Sequence, residues 1–294
     1  MTNTDTQYFE FEKTTNLEKK IFDMYQKEIN NKKCSSCLEH DRELKKYGKG
    51  RAKPGTLWYV GKNFDNKGKS IKLFFIGKTG IGTNYGNQYA TKIRDEEKGK
   101  YEYIQDCRYV GPLYFYFPWD ENGRSRYWDF IKDITYKLGL SLEDIAISNL
   151  AKCNCFLQDE LDSSDNNTDR VYFDNCKRII NKEIKILKPT HVIFFTGAQE
   201  SSWSWDPPNQ APDYDVIIKS LEFEGLQPKN IFNATIKVKN KDGKRSGTQP
   251  IWWWRTFYKK DKPVMHFLRT YHPARMPDGL KNRIYDWIVK ETKI

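Results

Sequence analysis

Four short apolar runs punctuate the chain: IKLFFI at Ile71–Ile76, DIAISNL at Asp144–Leu150, THVIFFTG at Thr190–Gly197, and VMHFLRTYHPAR beginning at Val264. Runs this short and this apolar read as strands buried on both faces, and strands that alternate with helices pair in parallel. The helices are predicted at Asn16–Asn31, where Leu17, Ile21, Met24, Tyr25 and Ile29 form one stripe, and at Tyr127–Leu138, Arg170–Leu187 and Gly279–Thr292. The expected fold is therefore α/β. It is a single domain over residues 1–294, with a central, mostly parallel four-stranded sheet flanked by helices in three layers, α/β/α.

One insertion departs from that alternation. From Thr235 to Lys262 the chain reads as a basic β-hairpin, with IKVKN, a DGKRSG turn and PIWWWRTFY. Its Lys237, Lys239, Lys241, Lys244, Arg245 and Trp253 suit a clamp on DNA by charge and stacking. Equally, Trp252 and Trp254 on one face with Trp253 on the other is ordinary for a half-buried strand. YFYFPW at Tyr114–Trp119 presents aromatic rings and breaks at Pro118, and residues 159–169 are polar and read as a loop.

A net charge of +11 favours a polyanionic partner, because each phosphate neutralised releases counterions, although lysine-rich compositions also arise from genome bias. No run approaches the length of a membrane span, and the N-terminus lacks the basic-then-apolar order of a secretion signal. No membrane partner is expected, and the expected compartment is the cytoplasm. There, six cysteines point to metal ligation or plain burial rather than structural disulfides.

In open α/β sheets ligands gather beyond the carboxyl ends of the strands. Four loops would converge there: Gly77–Asn87, Asn149–Cys155, the loop after Gly197, and His272–Pro277. GKT at Gly77 evokes a phosphate loop, but Lys72 stands where that motif needs its first glycine.

FFIGKTGIGTNYGN, ISNLAKCNC, NCKRIINKEIKILKPTHVIFFTG and TYHPAR, in this order and at these distances, resemble the uracil-DNA glycosylase superfamily. The N-terminal helix followed by CSSC resembles its cluster-containing branch, family 4. The likeness covers about two-thirds of the chain. It implies a uracil-DNA glycosylase-like fold and a 4Fe-4S cluster on Cys34, Cys37, Cys153 and Cys176. Zinc on the same four thiolates is the alternative, Cys155 can replace Cys153, and Cys107 is expected to be a core thiol.

The same resemblance assigns roles to the strand-end residues. Asn84 would position water and His272 would steady charge on the departing base. Asn149 would read the base edge, or else simply cap its strand. Gly77, Lys78 and Thr79 would line the base pocket, while Tyr89, Phe117 or Phe115 would stack on the base. Arg275 and Met276 would enter the duplex and grip phosphate. Lys78 and Asn84 stand where cluster-containing members carry acids, so Asn84 also reads as a plain turn residue beside glycines. His40, His191 and His266 are expected to be structural.

The function expected is that of a monofunctional DNA glycosylase, flipping a pyrimidine-type base from double-stranded DNA and hydrolysing its N-glycosidic bond. Uracil repair is the default substrate reading, and a modified cytosine of phage DNA, in antiviral defence, is the specialised one. The alternative is a DNA-binding module of the same fold without catalysis. A monomer is expected.

Overall fold

The computed structural model describes residues 15–29, 51–54, 58–66, 68–77, 80–81, 119–120, 123–124, 126–150, 152–156, 170–195, 227–239, 246–270, 272–273 and 280–292. Within these, only the backbone is described for 51–54, 80–81, 119–120, 123–124, 153–156, 170–174, 177, 227–239, 246–255 and 291.

Twelve strands are found among the described residues: β1 (Arg51–Pro54), β2 (Tyr59–Val60), β3 (Leu73–Gly77), β4 (Gly80–Ile81), β5 (Trp119–Asp120), β6 (Gly123–Arg124), β7 (Ile145–Asn149), β8 (Cys153–Phe156), β9 (His191–Phe194), β10 (Gln227–Lys239), β11 (Ser246–Lys259) and β12 (Lys262–Thr270). The helices are α1 (Asn16–Glu28), α2 (Arg126–Lys137), α3 (Arg170–Leu187) and α4 (Leu280–Asp286), the last continuing as one π turn at Trp287–Glu291. The main sheet has the order β10-β11-β12-β9-β3-β7-β2. β7, β3, β9 and β12 are parallel neighbours, whereas β2 pairs antiparallel with β7 on one side and β11 and β10 extend the other side antiparallel.

The sheet is thus mixed and seven-stranded, which corrects the expectation of a mostly parallel four-stranded sheet. The cause lies at the edges. An unpaired flank of β12 would leave a row of backbone donors and acceptors open, and β11 satisfies them from Trp252 opposite Thr270 to Lys259 opposite Lys262. The hairpin expected at residues 235–262 is also longer, because β10 starts at Gln227 and carries irregularities of register near Asn230 and Thr235. Lys260 and Asp261, both at positive φ (49° and 61°), close a tight turn from β11 into β12. Lys-Asp lacks the Asn-Gly signature of that turn, so the sequence hid a three-stranded meander.

Residues of β3 alternate between two cores. Phe74 and Ile76 face a cluster with Ile21, Met24 and Tyr25 of α1 and Ile179, Ile180 and Ile184 of α3. Leu73 and Phe75 face another with Phe130, Ile131 and Ile134 of α2 and Leu280 and Ile284 of α4. A period-two strand between two helix layers needs apolar residues at every position, which is why these runs are uniformly apolar. α1 starts where Thr15 and Glu18 form a capping box: the Thr15 hydroxyl accepts from the Glu18 N–H at 3.1 Å, and the Glu18 carboxylate accepts from the Thr15 N–H at 3.3 Å. α3 ends at Leu187, with Lys188 at φ 48° and Pro189 turning the chain into β9. No helix among the described residues is long and apolar enough to cross a membrane.

Beyond the carboxyl ends of β3 and β7 the chain enters a smaller sheet of order β1-β8-β4, with β4 parallel to β8. The segments leaving Gly77 and Asn149 therefore stay side by side.

Candidate active site

Gly77 and Asn149 close β3 and β7 in register, and the Leu150 N–H donates to the Gly77 carbonyl at 2.8 Å. The Asn149 side chain crosses over the bare Gly77 Cα. A Cβ there would overlap Asn149 Oδ1 and stand 3.1 Å from Tyr127 Oη. Glycine is thus required by close approach of two side chains.

His272 follows β12, and its imidazole stacks on Tyr127 with ring centroids 5.2 Å apart and planes 15° apart. Tyr127, in the first turn of α2, meets Phe195 edge-on at 5.6 Å, and Phe195 stacks on Phe75 at 5.9 Å. A continuous aromatic column thereby joins the imidazole to the core. The Tyr127 hydroxyl oxygen is sealed from solvent and finds no hydrogen-bond partner among the described residues. Burial raises its pKa well above the ordinary phenol range.

A second polar group underlies the loop after β7. Lys152 and Glu183, each 1% exposed, pair at 2.8 Å. Lys152 Nζ also donates to Ser148 Oγ, and Tyr25 donates to Glu183. Lys152 Nζ further lies over the Tyr25 ring, 5.6 Å from its centroid. Burial pulls the Lys152 ammonium below its ordinary range, and Glu183 opposes that pull. This network ties α1, β7 and α3 together. From the same residue, the Lys152 backbone N–H donates to the buried Cys176 Sγ at 3.3 Å. The Cys176 thiol therefore sits against the residue that precedes Cys153.

Of the residues singled out in the sequence, Gly77, Asn149 and His272 come together around Tyr127. Cys153 opens β8 and Cys155 lies within it opposite Ala52, both as backbone. Trp253 is opposite Asn233 and Arg269, also as backbone. Asn84, Lys78, Thr79, Tyr89, Phe115, Phe117, Arg275, Met276, Lys244, Arg245, Cys34, Cys37, Cys107 and His40 lie outside the described residues. His191 and His266 stack on each other at 5.2 Å in the core, at the amino end of β9 and away from the carboxyl ends where Gly77 and Asn149 lie. Sequence reasoning missed Tyr127 and the Lys152–Glu183 pair. Tyr127 reads as one more apolar position of α2, and nothing local signals its stacking on a histidine far along the chain. Lys152 stands inside the quoted ISNLAKCNC run, but its partner is on another helix.

The fold and this cluster define an α/β protein with a polar corner at the carboxyl ends of its parallel strands, where such sheets place ligands. No protein-family model matches the chain, and no curated protein matches it.

Proposed function

We propose that the chain is a DNA glycosylase of the uracil-DNA glycosylase type, hydrolysing the N-glycosidic bond of a flipped pyrimidine-type base to leave an abasic site. The observation that carries this reading is the meeting of Gly77, Asn149 and His272 around Tyr127, at the carboxyl ends of β3, β7 and β12, in a sheet whose parallel part runs β7-β3-β9-β12. Residues from three separated motifs of the resemblance converge on one corner. In this reading the Asn149 amide, able to donate and accept, pairs with the base edge. His272 donates to a base oxygen as charge develops there. Asn84 orients the attacking water, and Arg275 and Met276 occupy the opened duplex. The basic hairpin contributes Lys244, Arg245 and Trp253 to the DNA surface, consistent with the net charge of +11. The protein acts as a monomer in the cytoplasm, in repair or in defence against modified phage DNA.

Cys34, Cys37, Cys153 and Cys176 would hold the 4Fe-4S cluster, which supplies a structural brace and no redox step. Of the four, the Cys176 side chain alone is described: it is buried beside the residue preceding Cys153 and accepts a backbone N–H, as cluster thiolates do, which supports the assignment. A cluster gives the purified protein broad visible absorption, lost in Cys176→Ser; a colourless protein containing zinc would replace the cluster with zinc.

Base release from duplexes carrying uracil, hypoxanthine, 5-hydroxymethylcytosine or its glucosylated form tests the activity, with alkali revealing abasic sites. Release from one member, abolished in Asn149→Ala and His272→Ala, is expected. Silence across the panel with DNA still bound would make the chain a binding module.

A further inference from the structure

One polar group at the strand ends has no structural employment: the Tyr127 hydroxyl, sealed from solvent and without a hydrogen-bond partner among the described residues. Buried hydroxyls are nearly always paired, and a phenylalanine here would keep every ring contact without desolvating an oxygen. The hydroxyl cannot swing away, because the ring lies parallel to His272 and edge-on to both Phe195 and Trp128. It stands over Gly77, beside the Asn149 amide oxygen, so that a phenol, an amide and an imidazole border one corner. Burial keeps the phenol protonated, and the group is a hydrogen-bond donor at every pH at which the protein would work.

We propose that Tyr127 is the specificity-determining residue of this site: its hydroxyl donates a hydrogen bond to a carbonyl oxygen of the flipped base, beside the Asn149 amide, while its ring fixes the plane of His272. The inference rests on the base-release reading and narrows the substrate to bases that present a carbonyl acceptor on the edge facing Gly77, such as the 2-oxo or 4-oxo group of a pyrimidine. A hydroxyl held for a substrate leaves a distinctive signature. Its removal spares the free protein and penalises only the complex, whereas removal of a structural hydroxyl does the reverse.

The test uses the full chain with Tyr127→Phe and Tyr127→Leu. Tyr127→Phe is expected to unfold at the same or a higher urea midpoint, to bind duplex DNA as before, and to release base about tenfold more slowly, the value of one hydrogen bond. It also loses discrimination among the bases of the panel. Tyr127→Leu, lacking the ring, additionally displaces the His272 imidazole titration followed by NMR. Free uracil supplies an independent probe, and calorimetry should find it bound about fivefold more weakly by Tyr127→Phe. A lowered urea midpoint with unchanged base discrimination would overturn the assignment and make the hydroxyl structural. Where the wild type releases no base yet binds uracil more tightly than Tyr127→Phe, the base-release reading fails and the Tyr127 assignment stands. Where it neither releases base nor binds uracil at millimolar concentration, both fall.

Discussion

Lowering the pH from 7.5 to 5 should remove about 4 kcal/mol of folding stability through His191 and His266 alone. Both imidazoles are at most 3% exposed. His191 hydrogen-bonds Thr190 at 2.9 Å and Thr292 at 2.7 Å, while His266 bonds Thr256 at 2.8 Å and Trp287 stands edge-on to both rings. Burial, and for His191 the neighbouring His266, lowers the folded pKa values to about 3 for His191 and about 4 for His266. In the unfolded chain each titrates near 6.5. Between those values the unfolded state binds more protons, so stability is fully present above about pH 6.5 and falls as the pH drops towards 4. At pH 5 an unfolded histidine is about 97% protonated while its folded counterpart is essentially neutral, which is worth about 2 kcal/mol for each ring. Two such losses are a large part of the 5–15 kcal/mol that holds a typical domain together. Urea unfolding followed by tryptophan fluorescence across this range measures the effect. His191→Gln and His266→Gln should each remove about half of the pH dependence. A wild-type stability that is flat to within about 1 kcal/mol, or a double variant that keeps the full dependence, would refute the reasoning.

Glu183→Gln should cost about 3–5 kcal/mol, since it leaves the buried Lys152 ammonium without its counter-charge, and Lys152→Met with Glu183→Leu should recover most of that loss in the same denaturation assay. Gly77→Ala places a methyl where the Asn149 amide oxygen lies, so the amide must turn away. The variant should fold with little change in its circular dichroism yet lose base release by about tenfold or more, the worth of one misplaced recognition hydrogen bond.

Much of the layered core was legible in the chain. IKLFFI, DIAISNL and THVIFFTG became β3, β7 and β9 because an unbroken apolar run between helices has few other solutions, and Arg170–Leu187 became α3 with those same bounds. Loop positions at strand ends followed from that order, so Gly77, Asn149 and His272 could be singled out before their geometry was known. The turn at Lys260–Asp261 was not legible, since Asp tolerates positive φ but Lys rarely adopts it and no glycine marks the turn, while β12 gains an edge partner by closing it. The antiparallel extension of the sheet followed from that turn.

By itself the sequence determined the buried strands β3, β7 and β9 and the helices that alternate with them around a parallel core, and the residue types available at those strand ends. Hydrophobic periodicity and capping chemistry are local, and local signals survive in one dimension. Only the tertiary structure decided that Tyr127 stacks on His272, that Asn149 crosses Gly77, and that Lys152 finds Glu183 within the core. Those pairings join residues from distant parts of the chain: ring packing and close backbone approach fix the first two and the need to satisfy buried charge fixes the third, conditions that no stretch of sequence carries alone.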